Sequence, residues 1–474
     1  MLFNSLDFAI FFPIVFIGYW LLNKNSTIQN TFLVLVSYYF YACWDWRFLF
    51  LLFFSTLVNF YFAQRIDREQ NFKKKKCVLT VIICINLLLL GYFKYFNFFI
   101  ENFGLTFKLF GQIFNTSSYK ILLPLGISFY TFQNISYVTD VYRKHSEPSK
   151  NLLSFSLFIS FFPQLISGPI ERTNHLMPQI TKKRVFNYEL ASNAMRMILL
   201  GLFEKMVIAD NCAAIVNDIY NNFESHSGST LFFGAVLYSF QIYGDFSGYT
   251  HIAIGCAALL GFTLKDNFNY PYLAKNIADF WRRWHMSFSS WLRDYIYFPL
   301  GGSKKGNLIQ IRNLIIVFVI SGIWHGANLT FVIYGFIHAF LYILYIYYKK
   351  WLHKKNIVFS KTTEIVTDII AVFSTFTVLT LARVFFRSNS VEQAFHYLHL
   401  IFSDSLFQKP DISRAFIFLM FCFLFLEYLQ RHRKHLLDIT FVKSKFIRYF
   451  IYLILLFMIL YFVGESQSFI YFQF

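Results

Sequence analysis

A histidine in the stretch Ser321-Gly322-Ile323-Trp324-His325-Gly326-Ala327-Asn328 lies within an apolar run bounded by Arg312 and Lys349. Burying an ionisable side chain in such surroundings is costly, which makes His325 a candidate for chemistry. Imidazole takes up a proton near neutral pH, so this residue suits a general base acting on a hydroxyl. The plainer alternative is a buried ring that only hydrogen-bonds a backbone carbonyl. A second histidine, His285, stands between Asp279-Phe280-Trp281-Arg282-Arg283-Trp284 and Ser289-Ser290-Trp291-Leu292-Arg293-Asp294. One-turn spacing predicts Trp281, His285 and Ser289 on a shared helix face, with Arg282 and Arg283 turned elsewhere. An Arg-Arg pair beside tryptophans could hold the phosphates and adenine of a nucleotide-bearing donor. An interfacial aromatic and basic belt would use the same residues. His338, thirteen positions beyond His325, falls about 140° around a continuous helix from it and reads as structural. His251 and His145 are weaker candidates. Asp245, in Tyr243-Gly244-Asp245-Phe246-Ser247-Gly248-Tyr249, needs a partner if buried, and Arg282, Arg283 or Arg293 could supply it. Scaffold and site both remain open for that carboxylate.

The elements that must position these groups are read from composition. Hydrophobic residues make up 57% of 474 and charged residues 14%, and mean hydropathy is +0.48. A soluble globular chain carries about 25% charged residues, so too few are present here to coat a water-exposed body. The bilayer is the expected solvent, with membrane lipids as contacts. Apolar runs near the roughly 20 residues of a spanning helix fall at 7–22, 31–63, 78–100, 121–142, 152–168, 193–216, 230–262, 311–348, 364–386, 414–430 and 446–463. Run 31–63 is broken by Cys43-Trp44-Asp45-Trp46-Arg47, which suggests a hairpin tip. Run 311–348 could form two short helices, with Gly326 and Asn328 at the break. The stretch 279–302 is too charged to span and reads as interfacial or re-entrant, one wall of an internal aqueous cavity.

The net charge of +18 comes from clusters between apolar runs: Lys73 to Lys76, Lys182 to Arg184, Lys349 to Lys355 and Arg431 to Lys434. That is a positive-inside pattern, not a nucleic-acid face. Assigning the basic loops to the cytoplasm leaves the charge-poor loops near 101–119, 217–229 and 388–413 facing outward, with both termini extracytoplasmic. One membrane domain over 1–474 is expected. No cleavable signal peptide stands out; 8–22 reads as the first membrane segment. The six cysteines are scattered, without a disulfide framework or zinc spacing. No P-loop, Gly-x-Ser-x-Gly elbow, His-Glu-x-x-His or dinucleotide fingerprint is present, so no metal site is expected and serine hydrolysis has no support.

Several blocks of the sequence resemble the membrane-bound O-acyltransferase (MBOAT) family. They are Met1-Leu2-Phe3-Asn4-Ser5, Pro124 to Gln133, Phe162 to Ile170, Asp245 to Tyr249, Phe280 to Gly302, Trp324-His325-Gly326 and the closing Phe469 to Phe474. The resemblance is to the bacterial branch of alginate and peptidoglycan O-acetyltransferases and the teichoic acid D-alanyl transferase. It implies an all-α integral membrane fold of roughly 11–13 membrane helices, with re-entrant helices around a central funnel. It further implies that His325 matches the family's essential histidine and His285 a second, conditionally important one. Trp281, Arg282, Arg283, Trp284, Asp245, Tyr249, Asp294, Trp324 and Asn328 are then expected around the donor. Acetyl-CoA from the cytoplasm would be that donor, with no resident cofactor. The acceptor would be a cell-envelope polysaccharide, helped by an extracytoplasmic SGNH/esterase-like partner, at the inner membrane. D-alanyl transfer from a carrier-protein thioester is the alternative, and an envelope-lipid transporter is a non-enzymatic one. The chain departs from the family pattern at Thr250-His251, where an acidic residue often follows, and this leaves the role of His251 open.

Overall fold

The computed structural model describes residues 1–109, 121–166, 168–355, 361–462, 467 and 469–470, and every regular element among them is helical. Ser167, the tip of the 101–119 loop and the last four residues of the closing block lie outside the described residues. Among the described residues five helices are long and apolar enough to cross a membrane: Phe48–Arg68, Phe72–Ile100, Asn307–His325, Leu329–Lys354 and Ile365–Arg387. The chain is a multi-pass membrane protein. It divides into two compact units, Met1–Met195 with Ile252–Lys265, and Arg196–His251 with Asp266–Phe474.

In the first unit, α1 (Leu6–Leu21), α2 (Ser26–Ala42), α3 (Phe48–Arg68), α4 (Phe72–Leu109) and α5 (Ile127–Tyr142) follow in order. The predicted break at Cys43 to Arg47 falls between α2 and α3. Helix α5 is buried from Ile127 to Val141 although it carries Gln133, Asn134, Ser136 and Asp140. A polar side chain inside a bundle must be satisfied by its neighbours. Gln133 donates to the Phe158 carbonyl at 2.7 Å and accepts from Gln164 at 2.9 Å, while Asn134 donates to Ser55 at 3.0 Å. Asn59 and Asn86 exchange amide hydrogen bonds between α3 and α4. The short helices α6 (Leu152–Ser160), α7 (Phe162–Leu165) and α8 (Thr173–Thr181) complete this unit. The boundary between the units falls within α9 (Tyr188–Leu202) and again within α11 (Gly228–Leu259).

The second unit holds the candidate histidines. After α9 the backbone winds through a π-helical turn, Phe203–Ala209, into α10 (Asp210–Asn221). The stretch expected to be re-entrant is broken into α12 (Ile277–Arg283), α13 (Met286–Leu292) and a second π turn, Arg293–Tyr297. Next come α14 (Asn307–His325) and α15 (Leu329–Lys354). These have 19 and 26 residues, so the expectation of two short helices is corrected. Gly326 is fully extended and Asn328 caps α15 by accepting from Thr330, which turns the chain within three residues and leaves both helices full length. Helices α16 (Lys361–Arg387), α17 (Val391–Ile401), α18 (Arg414–Gln430) and α19 (Lys445–Tyr461) follow.

The α14–α15 pair is close because two glycines face backbone. A Cβ at Gly335 would run into the Phe318 carbonyl oxygen, and one at Gly322 into that of Phe331. Small residues let helices approach to backbone contact inside a membrane. Gly335→Val is expected to destabilise the chain by about 1–3 kcal/mol or more, as overpacking against rigid backbone does. Thermal unfolding in detergent would show it, and a melting temperature equal to wild type would contradict this packing account.

Candidate functional site

His325 is the last residue of α14, and the helix ends there because Gly326 leaves helical geometry. The side chain is buried, at 6% exposure. Its ring centroid lies 4.8 Å from Trp324, 4.9 Å from Phe386 and 6.4 Å from both Phe288 and Phe331. His285 packs against the same Phe288–Trp324 stack, 5.0 Å and 5.8 Å from those two rings. The two sequence-predicted histidines thus share one aromatic layer.

His285 does not share a helix face with Trp281 and Ser289. It adopts a left-handed conformation (φ 44°) between α12 and α13, so the continuous helix assumed from the spacing is absent. A non-glycine residue held there is strained, and such strain tends to gather at functional sites. Its Nδ1 lies 3.2 Å from the Asn267 side-chain oxygen, which also accepts from the Ser287 hydroxyl at 2.8 Å. An acceptor at Nδ1 places the proton there. Nε2 is then a bare acceptor, and it has no hydrogen-bond partner among the described residues. Burial disfavours the charged form of this ring. A neutral ring of this tautomer accepts hydrogen bonds at Nε2 and has no proton there to stabilise an oxyanion.

Two cavities flank His325. The larger, of about 970 Å³, is lined by Trp281, Arg282, Ser289, Arg293, Phe318 and Ser321, and by the basic end of α15, Lys349, Lys350, His353 and Lys354. Its apolar end reaches Ser321, one helical turn from His325. Among the described residues no carboxylate lines it. The smaller, of about 310 Å³, is lined by Asn217, Gln241, Asn328, Arg387 and Asn389, with Phe331 and Phe386 among its walls. Those two rings are the ones that contact His325. Phe331 and Tyr342, which mark the two cavities on α15, are separated by about 16 Å of helix axis.

Of the residues expected around a donor, Trp281 and Arg282 line the large cavity, and Asn328 lines the small one. The others are placed by other partners. Arg283 pairs with Asp279 at 3.0 Å, and Asp294 with Arg293 at 2.9 Å. Trp284 packs flat on Phe280 beneath the buried guanidinium of Arg383, 5.2 Å away. Trp324 stacks on Phe288 at 4.3 Å. Asp245 does not pair with Arg282, Arg283 or Arg293, which is a correction. The π turn instead brings Lys205 to 2.7 Å from Asp245 and from Asp210, and Tyr249 lies beside the same ammonium. Glu204, its neighbour on that turn, binds Ser247 at 2.8 Å and His251 at 2.7 Å. His338 accepts from the Trp281 indole N–H at 3.2 Å, tying α15 to the cavity wall. Arg383 and Arg387 were passed over in the sequence. The rule that singled out His325, an ionisable group at an apolar run, applied to them too.

The profile of the MBOAT, membrane-bound O-acyltransferase family, matches residues 143–388, which contain both histidines and all of the lining just named except Asn389. The chain belongs to that family. It is therefore a membrane-bound O-acyltransferase. It is 38% identical over 428 residues to a peptidoglycan O-acetyltransferase of Helicobacter pylori, covering 84% of this chain and 79% of the relative. It is 35% identical over 419 residues to a probable alginate O-acetylase AlgI of Pseudomonas aeruginosa, covering 88% and 77%. A teichoic acid D-alanyltransferase of Bacillus subtilis matches at 33% over 247 residues, 49% of this chain and 61% of the relative. Among the described residues of this acyltransferase no His, Cys, Asp and Glu side chains cluster as a metal site would require.

Proposed function

We propose that this acyltransferase moves acetyl groups from cytoplasmic acetyl-CoA to a cell-envelope polysaccharide, with His325 as general base between a donor cavity and an acceptor cavity. The observation that carries the reading is the pair of unlike cavities on either side of His325. The large one has a basic mouth suited to a phosphate-bearing donor and an apolar inner end suited to a thioester arm. Its mouth sits on the lysine cluster that the positive-inside rule assigns to the cytoplasm. The small one opens beside Ser388 and Asn389, at the start of a loop assigned outward. In this orientation the enzyme occupies the inner membrane with both termini extracytoplasmic, and an extracytoplasmic SGNH/esterase-like partner works with it in delivering acetyl groups to the polymer.

In the step itself, His325 takes the proton of the acceptor hydroxyl as its oxygen attacks the thioester carbonyl. The C–S bond then breaks, and the departing thiolate takes that proton to leave as a thiol. Holding both reactants in line supplies much of the acceleration. His285 packs against the same Phe288 and Trp324 rings as His325, and its bare Nε2 is an acceptor there.

The acetylating relatives match most of the chain, and the D-alanylating one about half. The test is to offer purified wild-type protein labelled acetyl-CoA and, separately, a D-alanyl carrier-protein thioester. Transfer from acetyl-CoA alone supports the reading, and transfer from the carrier thioester alone would replace it. Neutralising the mouth should act on donor binding. Arg282→Gln is expected to raise the KM for acetyl-CoA about tenfold or more, the worth of one charge-assisted hydrogen bond, with a smaller change in kcat. An unchanged KM would take Arg282 out of donor binding.

A further inference from the structure

Attack at a thioester carbon puts negative charge on its carbonyl oxygen, and a donor aimed at that oxygen is usually the largest single contribution to such a step. The ring of His285 has no proton at Nε2 to give. The last turn of α14 presents its open carbonyls beside His325, and these repel an anion. A side-chain donor would offset them. Of the residues that α14 gives to the large cavity, Gln310, Leu314, Val317, Phe318 and Ser321, the last stands nearest to His325 in the chain. It precedes the base by four positions, so the two side chains share a helix face with about 5–6 Å between Cβ atoms. Ser321 is only 4% exposed. A serine in a helix interior commonly donates to the carbonyl one turn back. Ser289 and Ser290 line the same cavity and give their protons to backbone in this way, to Trp284 at 3.3 Å and to Ser287 at 2.8 Å. The Trp281 N–H is taken by His338. The Ser321 hydroxyl makes no hydrogen bond among the described residues, and its oxygen stays open to the cavity.

From this we infer that Ser321 is a further catalytic residue, whose Oγ–H donates a hydrogen bond to the carbonyl oxygen of the bound thioester. The hydroxyl keeps its proton throughout. Charge gathers on the carbonyl oxygen as the acceptor oxygen adds, and it leaves again as the C–S bond breaks. The walls at that end are apolar, with Leu314 and Phe318 packed against Trp281, so the bond is stronger there than it would be in water. The inference rests on the assignment of the large cavity to the donor, and it supplies the group that stabilises charge while His325 holds the proton. The competing role for the same hydroxyl is that of a nucleophile, which would leave an acetylated serine.

The experiment uses the full chain in inverted inner-membrane vesicles, which keep the native acceptor, with labelled acetyl-CoA as donor. Ser321→Ala is expected to lower kcat by about 10²–10³-fold, the usual loss on removing one oxyanion donor, with the KM for acetyl-CoA and the unfolding temperature near wild type. Ser321→Thr keeps the hydroxyl and should keep much of the rate. A second donor, dithioacetyl-CoA, tests the contact atom by atom, because its thiocarbonyl sulfur is a weak hydrogen-bond acceptor. Wild type should prefer the oxygen donor far more strongly than Ser321→Ala does. An oxygen-to-sulfur preference equal in the two proteins would overturn the inference, as would wild-type turnover in Ser321→Ala. Equal losses in the alanine and threonine variants, with a lowered unfolding temperature, would make Ser321 a packing residue. Acetyl found on Ser321 by mass spectrometry after mixing with donor would make it a nucleophile instead. Should wild type use only a D-alanyl carrier thioester, the donor reading falls, while the same Ser321→Ala loss measured with that thioester would uphold this role.

Discussion

Replacing His325 is expected to lower the rate of acyl transfer by about 10²–10⁴-fold, the range typical of a positioned general base. The loss should fall on kcat, because the ring stands between the cavities and lines neither. The donor should therefore bind with nearly its wild-type KM. Choice of substitution matters, since the ring packs against Trp324 and Phe386 at 4.8 and 4.9 Å. His325→Ala would open a gap in that layer as well as remove the base. His325→Gln keeps more of the volume without a group that accepts a proton near pH 7. Both variants should lose activity to a similar extent, and thermal unfolding should show the glutamine variant closer to wild type. A glutamine variant that retains most activity would show that His325 packs the layer and does not carry the proton.

How far the sequence alone reaches is clearest at this histidine. An ionisable residue beside a glycine in an apolar run is visible without any structure, and the break it predicted is where α14 ends. The break between α2 and α3 was legible for a similar reason, since Trp44-Asp45-Trp46-Arg47 cannot continue an apolar helix. What spacing could not give was the backbone at His285. A left-handed residue between two seven-residue helices leaves no periodic trace, so a pattern drawn for one helix placed Trp281 and Ser289 beside the wrong partner. The partner of Asp245 was hidden by a related effect. Lys205 reaches it from a π-helical turn forty residues earlier in the chain, and only the fold brings the two together. The basic mouth of the large cavity was legible as a cluster. Its role was not, because a loop cluster that sets topology and one that meets a ligand have the same composition.

The Lys205 cluster supports the second large effect. Its ammonium is 1% exposed, lies 2.7 Å from the carboxylates of both Asp210 and Asp245, and donates to the Gln467 carbonyl at 3.0 Å. Asp245 also accepts from the Ile470 amide at 2.6 Å. Gln467 and Ile470 both line the small cavity, so the ion cluster holds part of that cavity's wall. Removing the cation leaves two buried carboxylates facing one another with nothing between them. Breaking a buried pair in this way typically costs about 3–5 kcal/mol. Lys205→Met, which keeps the stem volume, should therefore unfold at a clearly lower temperature in detergent than wild type. Asp245→Asn should cost less, since the Lys205–Asp210 pair survives and the amide oxygen can still accept from Ile470. If the loss comes from stranded charge, the double variant Lys205→Met with Asp245→Asn should be more stable than Lys205→Met alone. Rescue is the sharp outcome, because a cluster that acted only through side-chain volume would show additive losses. Wild-type stability in Lys205→Met would remove the cluster from any account of the fold. Stability lost without a change in transfer would separate the wall from the chemistry at His325.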